Sequence, residues 1–124
     1  MNRKRIFIVD DEPDLASICK MVLEDEGYEV DEFTDSLLAL SKFKPGVYEL
    51  IILDIKMPDM DGFDLYKKIK ELDNNVKVCF LTASEMYYEN YRSKEYSLIE
   101  EDLFIHKPIE NDELINKIKK IMDS

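Results

Sequence analysis

A doubly wound α/β fold, built on a five-stranded parallel sheet in the order 2-1-3-4-5, is what this sequence predicts. Short uninterrupted apolar runs, suited to strands buried on both faces, alternate five times with segments of helical rhythm. Such alternation implies a parallel sheet whose right-handed crossovers place helices on both faces. Four of the five strands also end in polar residues: Asp10 and Asp11, Asp54, Thr82 and Lys107. In a parallel sheet those ends share one edge, where open α/β sheets bind ligands.

Residues 5–9 form the first apolar strand and run into Asp10-Asp11. Pro13 sits at a favoured first helical position behind Asp11 and Glu12, whose charges suit a helix N-terminus. Leu15, Ile18, Cys19, Val22 and Leu23 mark the inward stripe of that helix, and Gly27 ends it. Residues 28–33 alternate apolar and acidic, as an edge strand guarded by charge does. Asp35 caps a helix to about residue 43, stopped by Pro45-Gly46.

The third strand, residues 50–53, leads straight into Asp54; Met57-Pro58-Asp59 then turns the chain and Asp61-Gly62 opens a helix. That helix runs to about residue 72 with Leu65, Tyr66, Ile69 and Leu72 inward. A turn at 73–75 precedes a fourth strand over 76–81, closed by Thr82. Residues 84–98 show a weak helical pattern rich in tyrosine (Tyr87, Tyr88, Tyr91 and Tyr96), read as half-buried helix residues, with a partner-binding patch as the alternative. A short strand over 103–105 and a helix with Leu114, Ile115, Ile118, Ile121 and Met122 inward complete the chain.

No linker, repeat or low-complexity segment divides the 124 residues, so they read as one domain with no output domain attached. No run approaches the roughly 18 apolar residues of a membrane span, and the basic start is followed by too short an apolar run for a signal peptide, which predicts a cytoplasmic protein off the membrane. A formal charge of −11 argues against direct nucleic-acid binding, which needs cations to neutralise phosphates. Cys19 and Cys79, in a helix and a strand pattern, read as buried free thiols.

The strand order makes the first and third strands neighbours at the topological switch point, which crowds Asp10, Asp11 and Asp54 together. Carboxylates so placed repel, and one rises in pKa unless a cation joins them. All-oxygen ligation suits Mg²⁺, with Mn²⁺ as a substitute. Lys107 adds a positive charge and Thr82 a hydroxyl, and together the set fits phosphoryl transfer onto a carboxylate.

With these residues in view, the sequence resembles the receiver domain of two-component response regulators, a CheY-like, flavodoxin-like (βα)5 fold, over essentially its whole length. The resemblance rests on Val9-Asp10-Asp11-Glu12-Pro13, on Asp54 with Met57-Pro58 and Met60-Asp61-Gly62, on Leu81-Thr82-Ala83 and on Lys107-Pro108. It implies that Asp54 accepts a phosphoryl group from a sensor histidine kinase or phosphotransfer protein. Asp10, Asp11, Asp54 and the Lys56 backbone carbonyl would hold Mg²⁺, and Thr82 and Lys107 would bind the phosphoryl oxygens. Phe104 matches the switch aromatic, Lys56 and Ser84 flank the pocket where the hydrolysis rate is set, and the Lys107–Pro108 bond is expected to be cis. Output would pass to a downstream protein through the face made by the 84–98 helix, the last strand and the closing helix. The stretch between Ala83 and Phe104 is longer than the family pattern, with residues 97–102 in place of its small-residue signal, so partner choice does not carry over.

Two other readings compete. A pseudo-receiver, a binding module without phosphorylation, would share the fold, but here the acidic set is complete. A haloacid-dehalogenase-type Mg²⁺-dependent phosphatase also uses a strand-end Asp, but Ile55-Lys56 follows Asp54 where a second Asp is required. The reading is therefore of a phosphoacceptor switch, not an enzyme that turns over an external substrate.

Overall fold

The computed structural model describes residues 4–83, 103–108 and 110–123. Five strands, β1 (Arg5–Val9), β2 (Glu29–Phe33), β3 (Leu50–Asp54), β4 (Lys77–Thr82) and β5 (Phe104–His106), pair in parallel in the order β2-β1-β3-β4-β5. Four described helices flank them: α1 (Pro13–Asp25), α2 (Ser36–Lys42), α3 (Gly62–Leu72) and α4 (Asn111–Met122). The predicted fold class and strand order are those observed. The tyrosine-rich 84–98 segment and residues 97–102 lie outside the described residues.

Successive side chains of a strand point to opposite faces, and the core divides accordingly. Phe7, Val9, Ile51, Leu53, Val78, Phe80 and Phe104 pack toward α2 and α3. Ile6, Ile8, Leu50, Ile52, Cys79, Leu81 and Ile105 pack toward α1 and α4. Because both faces are covered, β3 is apolar without interruption up to Asp54 and buried along its whole length.

Two helical positions differ from the sequence expectation. Ile18 is 45% exposed, since it lies about 100° round α1 from Cys19, at the edge of the arc that faces the sheet. Leu72 is 50% exposed: it is in phase with Ile69, but it closes the last turn of α3, where the chain leaves for Asp73. The caps follow the sequence. Asp35 Oδ1 accepts from the Leu37 and Leu38 amides at 2.9 and 3.0 Å, and Asp61 Oδ1 accepts from Asp64 N at 2.9 Å.

β2 is an edge strand, as its acidic alternation predicts. Arg5 bridges Glu29 (3.2 Å) and Asp31 (3.1 Å) across the β1–β2 pair, and the Tyr48 hydroxyl donates to Asp31 at 2.6 Å. The acids therefore guard the edge and also clamp it to its neighbour.

Candidate functional site

Strand register brings the site together. Val9 pairs with Leu53, so the next residues on those strands, Asp10 and Asp54, lie side by side. Each follows the parity of Ile8 and Ile52, toward the α1 face. Thr82 pairs with His106 at the end of the β4–β5 ladder, and the Lys107 amide donates to the Thr82 carbonyl at 2.8 Å. The Lys107–Pro108 peptide is cis, as the resemblance implies.

The Lys107 side chain, only 8% exposed, carries its ammonium into the acidic group. Nζ lies 2.9 Å from Asp10 Oδ2, 3.2 Å from Glu12 Oε1 and 3.4 Å from Asp54 Oδ1. Asp10, Asp54 and Thr82 are buried, whereas Asp11 and Glu12 reach solvent. Asp10 Oδ1 accepts the Glu12 amide at 2.9 Å, which fixes the start of α1. A cleft of about 470 Å³ opens above Asp54, lined by Asp11, Glu12, Lys56, Thr82, Ala83 and Lys107 among others.

Burial and the neighbouring Asp10 charge push the Asp54 carboxyl up to about 8; Lys107 opposes the rise, and Asp11 adds to it. Burial alone would lower Lys107, but contact with Asp10 and the Asp54 charge hold its ammonium above the ordinary lysine range. A buried carboxyl kept from ionising is the mark of a site short of positive charge. Carboxylate oxygens of Asp10, Asp11, Glu12 and Asp54 all lie within 4.8 Å of one another. Asp10 Oδ2 is buried and, apart from its ion pair with Lys107, accepts no well-directed hydrogen bond. Within this group the carboxylates of Asp10, Asp11 and Asp54 fit a hard, oxygen-seeking divalent cation, whereas the Glu12 carboxylate is turned to Lys107.

The polar side chains predicted at the strand ends, Asp10, Asp11, Asp54, Thr82 and Lys107, therefore meet at one edge, and Lys56 lines the cleft. Phe104 stands back from the cleft, buried, its ring stacked on Phe80 at 5.2 Å and tilted against Phe63 at 6.2 Å. Ser84 lies outside the described residues.

Three residues matter more than the sequence indicated. Glu12, read there as a favourable charge for α1, reaches Lys107; its place in the acidic run was the available signal. Ser36, buried at the start of α2, donates to the Pro58 carbonyl at 3.3 Å and ties down the loop after Asp54. Gly62 packs against the backbone of Asp54 so closely that a Cβ would collide with the Asp54 carbonyl oxygen, while its amide donates to Ile55 O at 2.8 Å. No local pattern announces either of these two contacts.

A paired-carboxylate crevice with a lysine opposite, at the switch point of a 2-1-3-4-5 parallel sheet, defines a receiver-type α/β domain. Residues 6–119 match the family model described as the response regulator receiver domain, and the chain belongs to that family. It is 32% identical over 115 residues to the transcriptional regulatory protein DltR of Streptococcus agalactiae, covering 93% of this chain and 50% of that protein. It is 34% identical over 116 residues to the sensor protein EvgS of Escherichia coli K12, covering 94% of this chain but 9% of that protein. The chain thus spans about half the length of the regulator it matches. Among solved structures, the response regulator TrrA of Thermotoga maritima, in complex with Mg²⁺-BeF, superposes with a TM-score of 0.80 at 38% identity, covering 95% of this chain and 98% of that one. A CheY-like receiver domain protein of Methanospirillum hungatei gives 0.82 at 32% identity, with 98% and 95% covered. The protein is a two-component signalling domain of this class. Among the described residues, no helix is long and apolar enough to cross a membrane.

Proposed function

We propose that Asp54 is the phosphoacceptor of a cytoplasmic signalling switch, charged by a sensor histidine kinase or phosphotransfer protein. The observation that carries this reading is the buried Asp54 carboxylate, 3.4 Å from Lys107 Nζ and within 4.8 Å of three further carboxylates. An Asp54 carboxylate oxygen attacks the donor phosphorus, the bond to the donor's imidazole nitrogen breaks, and an acyl phosphate forms. Asp10, Asp11, Asp54 and the Lys56 backbone carbonyl would hold Mg²⁺. When bound, the ion supplies the charge that neutralises the transferring oxygens. Lys107 then meets one phosphoryl oxygen and the Thr82 hydroxyl donates to another.

Hydrogen bonds to charged groups contribute roughly 1.5–3 kcal/mol each. Two made in one state only bias the domain by about 3–6 kcal/mol, against the roughly 5.5 kcal/mol that takes an equilibrium from 1:99 to 99:1. The chemistry suffices, narrowly, for a near-complete switch. We assign the phosphorylation-dependent movement to Thr82 and Phe104, whose ring is buried and stacked on Phe80 in this state. The changed face, formed with β5 and α4, would contact a downstream protein; direct nucleic-acid and membrane contact are not part of this reading.

The test is intact mass spectrometry after incubation with acetyl phosphate and Mg²⁺. The expected result is a single phosphoryl adduct, lost in Asp54→Asn and absent without a divalent cation. An adduct of the same yield in the Asn variant would reject the assignment. Continued release of phosphate, beyond one equivalent, from a stable phosphate ester would instead favour a phosphatase.

A further inference from the structure

We propose that Glu12 is a latch on Lys107: a positioning residue that holds the ammonium away from the incoming phosphoryl group and must let go when Asp54 is charged. The inference rests on the reading of Asp54 as phosphoacceptor and deepens it. Glu12 stands at the cap position before Pro13, yet its side chain makes no capping hydrogen bond. Its amide is instead taken by Asp10 Oδ1 at 2.9 Å, and Pro13 stiffens the chain behind it. With its backbone fixed on both sides, Glu12 sends its carboxylate to Lys107, where the ammonium donates to Oε1 at 3.2 Å.

An ammonium has three donors, and three carboxylates surround this one, at 2.9, 3.2 and 3.4 Å. A phosphoryl oxygen on Asp54, the most distant of the three, draws the ammonium toward Asp54 and away from Glu12. Asp10 is fully buried and Asp54 nearly so, and neither can swing into water. Glu12 is the partner that can, with a side chain 63% exposed. It also lines the cleft through which an anionic phosphodonor must pass. Its contact and its charge both oppose phosphorylation, whereas a metal ligand at the same place would favour it.

Glu12→Gln keeps the size of the side chain and removes its charge. The expected result is acetyl phosphate labelling of Asp54 that is roughly twofold to fivefold faster at saturating Mg²⁺, the range an exposed ion pair supports, with Mg²⁺ affinity by calorimetry unchanged within about twofold. Glu12→Asp, too short to reach Lys107 from the same backbone but still charged, is expected to label at a rate between wild type and Glu12→Gln. A second arm needs no phosphorylation: reductive methylation of Lys107 in the metal-free protein, read by peptide mass against the other lysines, is expected to rise in both variants. Unchanged labelling and methylation would overturn the latch. So would slower labelling with Mg²⁺ affinity weakened tenfold, which would make Glu12 a ligand. Wild-type protein that takes no phosphoryl group would defeat the Asp54 reading, and the methylation arm would still decide the latch.

Discussion

Asp54 is held in a state that its own fold disfavours. With its carboxyl at about 8 in the folded chain and near 3.9 when unfolded, the native state binds the extra proton between those values. By linkage, stability therefore falls as pH rises through that window in the absence of a divalent cation. Asp54→Asn removes the penalty. Thermal melts in EDTA are expected to place the Asn variant above wild type at pH 8, with the gap narrowing toward pH 5; Mg²⁺ should raise the melting temperature of wild type more than that of the variant. Lower stability of the Asn variant at pH 8 would contradict the desolvation argument. Asp10, Asp54, Thr82 and Lys107 were all legible in the sequence as polar residues at the ends of apolar strands. Glu12 was visible only as a charge, because its partner stands 95 residues further along the chain.

The connection from β3 to α3 sets how accurately Asp54 is placed. Gly62→Ala puts a methyl group into the Asp54 carbonyl, and overpacking of that kind costs about 1–3 kcal/mol. The expected outcome is a lower denaturation midpoint together with slower phosphorylation, since the backbone that must yield carries the acceptor. Ser36→Ala loses the hydroxyl donated to Pro58, a change of about 0.5–1.5 kcal/mol; it should slow phosphorylation more than it lowers stability if the loop presents the Lys56 carbonyl. At the sheet edge, burial alone would raise Asp31, but hydrogen bonds from Tyr48 and Arg5 leave it below the usual carboxylate value. A carboxyl with a lowered folded pKa stabilises above its unfolded pKa and stops doing so as pH falls through the folded one. Asp31→Asn should therefore flatten the acid limb of the stability profile below about pH 4, and an unchanged limb would remove Asp31 from the account. The strand's edge position was evident from its alternating charges, but the clamp to Arg5 and Tyr48 was not.

Across the molecule, the two sides of the sheet are sealed separately, and each thiol lies under a helix layer. Burial raises Cys19 to about 11 and Cys79 to about 12, and both are buried free cysteines. Only the thiolate reacts, so native protein at pH 8 should give almost no fast reaction with a disulfide reagent, and two thiols per chain once denaturant unfolds it. Rapid labelling of either cysteine in the native protein would show that its helix opens locally. The same sealing explains why helical periodicity overstated the core at Ile18 and Leu72. Periodicity gives the direction of a side chain from the helix axis, but not how far the sheet extends beneath it.

Alternating apolar runs, breaker residues and polar strand ends were enough to derive a parallel sheet and the rim where the acids gather, because burial on two faces and chain-local turn chemistry are written residue by residue; the strand order came with the fold that the receiver-type motifs imply. The rest depended on distances between segments remote in sequence: Glu12 to Lys107, Ser36 to Pro58, Gly62 to the Asp54 carbonyl, Asp31 to Tyr48. Those contacts exist only after the layers have packed, since a side chain's partner is set by where two elements come to rest and not by either element alone.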